Sequence, residues 1–315
     1  MINKLGFGTW GIGGVSGKFG SYGITDDNVS KSALLHAYIS GIRFFDTAPP
    51  YGNAEILLGS VFDEKKYPDV KILTKVGINS WNDDVNFSSS FIIESLKNSL
   101  ARMNRKSVFA VILHSLKSEV KTGTVREGFQ TLVDLKNKGL VENVGFSCKS
   151  PSEISRLLEL YPEANIIEAN FHLMDLRLLE SKTQKSLKKN NTTLIARTPL
   201  CFGFLTDKIS KNSIFDDLDH RSRWQQTKPK QINNWLDGKM KLEKIFKSHG
   251  FDQQIQELAL SFCLQNPIVD IVIPGMMNIQ EVDGCLKSLE VKNFSKDLLL
   301  EIEEFNKEFN ETVII

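Results

Sequence analysis

The stretch Arg43–Glu55, RFFDTAPPYGNAE, decides how the rest of the chain is read. An aromatic, apolar run breaks off at the carboxylate of Asp46, two prolines and Tyr51 follow at once, and a helical pattern then begins. A run that is apolar throughout, with no alternation, predicts a strand buried on both faces, as in a parallel sheet. The strand stops at Asp46 because the core stops there, and the proline-braced loop presents Tyr51 over the same end.

The pattern recurs. Short apolar runs stand at 42–46, 70–75, 108–114, 140–147, 165–169, 192–197 and 269–275, and LGFGTW opens the series near the N-terminus. Stretches with helical spacing lie between them. In the first, Val29, Leu34, Leu35 and Ile39 are expected on one buried face, with Gly41 as the stop; SSSF and KSPSE read as N-caps. Alternation of this kind means βαβ units, and about eight of them predict an α/β fold, a closed (β/α)8 TIM barrel, in one domain over 1–315. A doubly wound open sheet is the competitor. Residues 202–235, charged, aromatic and poor in core pattern, are expected to be a long loop after strand 7, either a solvated excursion or a lid.

Composition excludes several classes. Lys+Arg is 39 against Asp+Glu 38, so neither nucleic acid nor an anionic membrane is an expected partner. Four cysteines without CxxC spacing predict free thiols in a reducing compartment, and no segment reads as a signal peptide or membrane span, so the cytoplasm is the expected location. The histidines and cysteines show no metal-ligand spacing, and no metal is expected.

Three early strands finish on an ionisable residue: Asp46, Lys75 and His114. In a parallel barrel these ends converge on one face, and Tyr51 leans over it. The four residue types form one chemical device. A carbonyl that accepts a hydride needs a proton on its oxygen, and a tyrosine can give it. An ammonium at Lys75, held by Asp46, is expected to lower the tyrosine pKa, and His114 to orient the carbonyl oxygen. The literal G-x-G-x-x-G at Gly6–Gly11 is followed by more glycine-rich loop and no helix, so it does not read as a Rossmann turn. Its glycines let a long first loop bend, with Trp10 and Tyr22 as candidate pocket walls.

Taken together, GIRFFDTAPPYGNAEILLG, ILTKVG, VILHS, LKNKGLVENVGFS and IPGMMNIQEV resemble the aldo-keto reductase superfamily along nearly the whole chain. The resemblance implies a (β/α)8 barrel, a nicotinamide cofactor (NADP or NAD), a small-molecule carbonyl or sugar substrate, and Asp46, Tyr51, Lys75 and His114 as catalytic tetrad. It places the cofactor against Gly8, Thr9, Trp10, Asp46, Ser147, Cys148, Glu168, Arg197, Thr198, Leu200, Gly203, Gly275, Met277, Glu281 and Cys285. Cys148 stands where an asparagine is usual, Glu168 where a glutamine is. Met277 and Glu281 stand where many relatives grip an adenosine 2′-phosphate, which tilts the expectation toward NAD. Trp10, Tyr51, His114, His172 and Arg221 are the candidate substrate contacts. A general aldehyde reductase and a sugar or nucleotide-sugar oxidoreductase compete, and a cofactor-holding, redox-sensing regulatory subunit is the rival from another class.

Overall fold

Each apolar run forms a strand: β1 (Gly6–Gly8), β2 (Phe44–Asp46), β3 (Lys71–Val76), β4 (Val108–Leu113), β5 (Val141–Cys148), β6 (Ile166–Asn170), β7 (Thr193–Arg197) and β8 (Ile271–Ile273). All neighbours pair in parallel and in sequence order. Two isolated bridges, Leu5 to Val272 and Gly8 to Gly275, bring the first strand to the last and all but close the barrel. The computed structural model describes residues 1–16, 21–114 and 122–310, the side chains of 122 and 310 excepted. Among the described residues no helix is long and apolar enough to cross a membrane.

The helices are α1 (Asp27–Ile39), α2 (Ala54–Val61), α3 (Ser89–Arg102), α4 (Thr122–Asn137), α5 (Pro151–Leu160), α6 (Ser181–Lys189), α7 (His220–Thr227), α8 (Pro229–Ser248), α9 (Ile255–Gln265), α10 (Ile279–Lys287) and α11 (Lys296–Asn310). Because strand side chains alternate, Phe44 fills the barrel interior with Leu73, Ile112, Ile166 and Ile195, while Phe45 packs outward under the helices. This burial on both sides is why the strands carry no polar face.

The caps follow local chemistry. The Asp26 side chain accepts from the N–H groups of Asn28 and Val29, and Ser150 accepts from Glu153 ahead of Pro151. Ser88 occupies the N-cap of α3 without a side-chain cap bond. Gly41, at φ +102°, ends α1 as expected.

Two expectations are corrected. The buried face of α1 is Ser30, Ala33, Leu34 and Ala37, whereas Val29, Leu35 and Ile39 are exposed, Ile39 by 72%. The helix packs on both α2 and α10, and small residues on the inner face allow that close approach. Residues 202–235 are not one irregular loop either. They include α7 and the start of α8, and Phe204, Leu205, Ile209, Ile232 and Trp235 are buried. Lys239 of α8 pins the irregular part, donating to the carbonyls of Thr206 (3.0 Å) and Ile209 (2.7 Å). The core pattern escaped periodicity because its aromatic anchors serve loops as well as helices.

Candidate active site

The C-terminal ends of β2, β3, β4 and β6 bring four ionisable groups to one point. Lys75, fully buried, donates through Nζ to Asp46 and to the Thr47 carbonyl (3.2 Å), and its Nζ lies 3.3 Å from Glu168 Oε2. Tyr51 lies above, with the Lys75 ammonium 5.0 Å from its ring centroid. His114, just beyond β4, meets the Tyr51 ring edge-on at 6.0 Å, and Trp81 stacks on Tyr51 at 6.1 Å while also meeting His114 edge-on at 5.6 Å. The loop that carries Tyr51 is fixed by the first βα loop. Asn53 N–H donates to the Gly13 carbonyl at 2.9 Å, and a Cβ on Gly13 would stand 1.7 Å from the Tyr51 carbonyl oxygen.

The electrostatics differ from expectation in one respect. Burial pushes the Tyr51 phenol up; Lys75 pulls it down, but Asp46 and Glu168 push it up again, and the net shift is upward. Lys75 does not win because burial outweighs it and two carboxylates add to burial. Burial opposes the Lys75 charge, but Asp46 and Glu168 outweigh it and keep the ammonium protonated. Asp46 is itself raised, by burial and then by Glu168. His114 is held well below the usual histidine range by burial, with Lys75 and Arg197 adding to it, so it is neutral. Glu168 Oε2, Arg197 Nε and His114 Nδ1 are buried here with no hydrogen-bond partner.

A cavity of about 1030 Å³ runs outward from this floor. Gly8, Trp10, Asp46, Tyr51, His114, Ser147, Glu168 and Arg197 line it, followed by Thr198, Leu200, Gly203, Gly275, Met277, Glu281, Cys285 and Arg221. The segment after β7 enters it in an unusual shape, with Thr198, Cys201 and Phe202 all in the left-handed region. Glu281, in the first turn of α10, accepts from Met277 N–H at 2.9 Å and pairs with Lys208 at 2.6 Å, so it does not stand alone as a carboxylate.

Lys75 lies beneath the cavity, fully buried, and three other expected residues do not line it either. Thr9 is buried behind it, its hydroxyl donating to the Asp46 carbonyl at 2.8 Å. Cys148 points into the packing, where burial pushes its thiol up. His172 is corrected as a substrate contact. It closes a turn with Asp175, accepts from Met174 N–H at 3.2 Å, and burial pushes it down to about 4. Arg221 does reach the cavity, but as a strut. It forks onto Asp219, donates to the Phe202 carbonyl at 3.1 Å and stacks on Tyr22 and Phe215. Asp219 bridges Tyr22, and His220 N–H donates to the Ser21 carbonyl at 3.2 Å, so this corner ties the start of α7 to the first βα loop.

Sequence reasoning missed Trp81, Lys208 and Gly13. Trp81 was findable, because it lies in the loop after β3, on the face where Lys75 emerges. Lys208 and Gly13 act through contacts between distant segments that no local pattern announces.

A family model described as the aldo/keto reductase family matches residues 4–307. The aldo-keto reductase YhdN of Bacillus subtilis (strain 168) is 25% identical over 293 residues, 90% of this chain and 85% of its own. An NADH-specific methylglyoxal reductase of Escherichia coli (strain K12) is 26% identical over 227 residues, 68% of each chain. Among solved structures, the glycerol dehydrogenase AKR11B4 from Gluconobacter oxydans superposes with a TM-score of 0.78 at 22% identity, over 99% of this chain and 94% of that one, a likeness of fold.

Proposed function

Since the chain belongs to the aldo/keto reductase family and is on that ground an NAD(P)-dependent oxidoreductase, we propose that it reduces a small polar aldehyde or ketone with Tyr51 as proton donor. The observation that carries this reading is the placing of Tyr51 and neutral His114 side by side at the cavity floor, above Lys75. The bound nicotinamide supplies the hydride. Tyr51 gives its phenolic proton to the substrate oxygen, and His114 orients that oxygen through its one N–H. Lys75, fixed by Asp46, limits the cost of the phenolate left behind. The complete set favours an enzyme over a regulatory subunit. Tyr51→Phe is expected to lower turnover by about 10²–10⁴-fold with cofactor affinity retained. A folded Tyr51→Phe protein with wild-type turnover refutes the assignment.

The cavity's donor set suits a dinucleotide. Ser147 and Glu168 are register partners on neighbouring strands, and the unpartnered Glu168 Oε2 together with the serine hydroxyl suits a carboxamide. The backbone of 198–203 would follow the phosphates, and Glu281 with Lys208 would meet the adenosine ribose. Glu281, held in place by Lys208 and the Met277 N–H, would accept from a ribose 2′-hydroxyl, which favours NADH. Nicotinamide fluorescence titrations test this. Wild type is expected to prefer NADH and Glu281→Arg to gain NADPH affinity; wild-type preference for NADPH, unchanged in the variant, overturns it.

Beyond Tyr51, Trp10 and Trp81 lead to a second cavity of about 580 Å³ with Arg223 and Lys228 at its edge. Flat aromatic walls ending in cations favour a sugar-type carbonyl with an anionic end over a plain aliphatic aldehyde. Paired phosphorylated and neutral aldoses, compared by kcat/KM, decide between them.

A further inference from the structure

Glu168 sits midway along β6 as a second carboxylate on an ammonium that already has one. It is 2% exposed, its Oε2 lies 3.3 Å from Lys75 Nζ, and that oxygen has no hydrogen-bond partner. The Arg197 guanidinium, the nearest other cation, approaches Glu168 only to 3.9 Å and leaves Nε unpartnered. The charges around the Tyr51 hydroxyl are therefore Asp46 from β2, Lys75 from β3 and Glu168 from β6, with neutral His114 beyond β4 and Arg197 of β7 behind Glu168. Trp10 and Trp81 pack on the Tyr51 ring and on each other. A single carboxylate would steady the ammonium while leaving much of its field for the phenol. Two carboxylates consume that field.

We propose that Glu168 is a positioning residue of the proton-transfer chain: by loading Lys75 with a second carboxylate it keeps Tyr51 a phenol, so that carbonyl reduction persists into alkaline solution. The inference rests on Tyr51 being the proton donor. In reduction the Tyr51 O–H bond breaks, its proton goes to the carbonyl oxygen as NAD(P)H delivers hydride to the carbon, and the tyrosinate is reprotonated from water. In oxidation the phenolate must exist beforehand to take the alcohol proton. A carboxylate that disfavours phenolate therefore moves the pH limbs of both directions upward together. Burial is the first cause of the upward shift of Tyr51, and Glu168 adds to it in the direction this requires.

The test is Glu168→Gln, which keeps shape and removes charge, with Glu168→Asp as its partner. Two readouts are used. The first is the alkaline midpoint of kcat/KM for reduction. The second is the Cζ resonance of Tyr51 in ¹³C-tyrosine-labelled, cofactor-free protein, assigned among five tyrosines by Tyr51→Phe. Glu168→Gln is expected to lower both midpoints by about one pH unit or more, and Glu168→Asp, which keeps the charge, to stay near wild type. If both midpoints stay put in the folded Gln variant, the inference fails. So it does if the Asp variant shifts as far as the Gln variant, because a packing role then explains both. If wild type turns over no carbonyl, the functional reading falls, and the resonance still decides whether Glu168 holds the phenol.

Discussion

Gly13→Ala is a test of how the first βα loop sets the position of Tyr51. A Cβ there would lie 1.7 Å from the Tyr51 carbonyl oxygen, where contacts under 3.0 Å are essentially never found. One backbone must retreat by about 1.3 Å, and no side-chain rotamer can absorb the change because the obstacle is main chain. The Gly13 φ lies outside the left-handed region, so the effect is displacement, not backbone strain. A misplacement of about 1 Å costs about 10²-fold in rate, or about 2.7 kcal/mol of barrier. Overpacking adds about 1–3 kcal/mol of lost stability. The assay is steady-state kcat/KM on protein verified as folded by circular dichroism, with cofactor affinity measured in parallel. The expected result is a fall near 10²-fold in kcat/KM with cofactor affinity within a few-fold of wild type. A kcat/KM within threefold of wild type would show that the contact does not dictate where Tyr51 stands.

Two further outcomes are expected. Arg102 of α3 pairs at 2.7 Å with Glu55, which is 1% exposed and also accepts from the Thr74 hydroxyl at 2.6 Å; Arg102→Met strands that carboxylate. Because Arg102 is one-third open to water, the loss is about 2–3 kcal/mol, seen as a lower Tm with turnover per folded molecule unchanged. Burial holds His172 and His220 down to about 4, below the unfolded value of 6.5. Their contribution is therefore full above pH 6.5 and lost as pH falls toward 4, at roughly 3 kcal/mol each. Urea midpoints between pH 7 and 4.5 should fall accordingly; a flat profile refutes the burial of neutral imidazoles.

The barrel was legible because its strands cannot hide: buried on both faces, they carry unbroken apolar runs that end on Asp46, Lys75 and His114. Those ends were legible for the same reason, since polarity at a strand terminus has no core explanation. The inner face of α1 was not legible, because Ala33 and Ala37 are buried for their smallness while Ile39 faces water. His172 was misleading because a polar residue near a site is as often tied to its neighbours as aimed at a ligand; Arg221 lines the cavity while tied to Asp219 and the Phe202 carbonyl. Tyr51 was expected to be pulled down by Lys75. The opposite sign comes first from burial of the phenol, with Asp46 and then Glu168 adding to it, and Glu168, distant in sequence, comes near only once β6 lies close to β3 across the barrel mouth.

Seven neighbour pairs in the barrel are joined by continuous register, and the eighth, between the first and last strands, only by two separate bridges. That join is the most thinly bonded seam of the cylinder. The large cavity touches Gly8 on one side of it and Ile273 and Gly275 on the other. A dinucleotide seated there adds contacts across the gap and acts as extra rungs. At a hundred times its dissociation constant such a ligand stabilises the folded chain by about 2.7 kcal/mol. The join gives that energy an address: amide hydrogens of Gly6–Gly8 and Ile271–Ile273 should exchange faster than those of the other strands, and slow most when the cofactor binds.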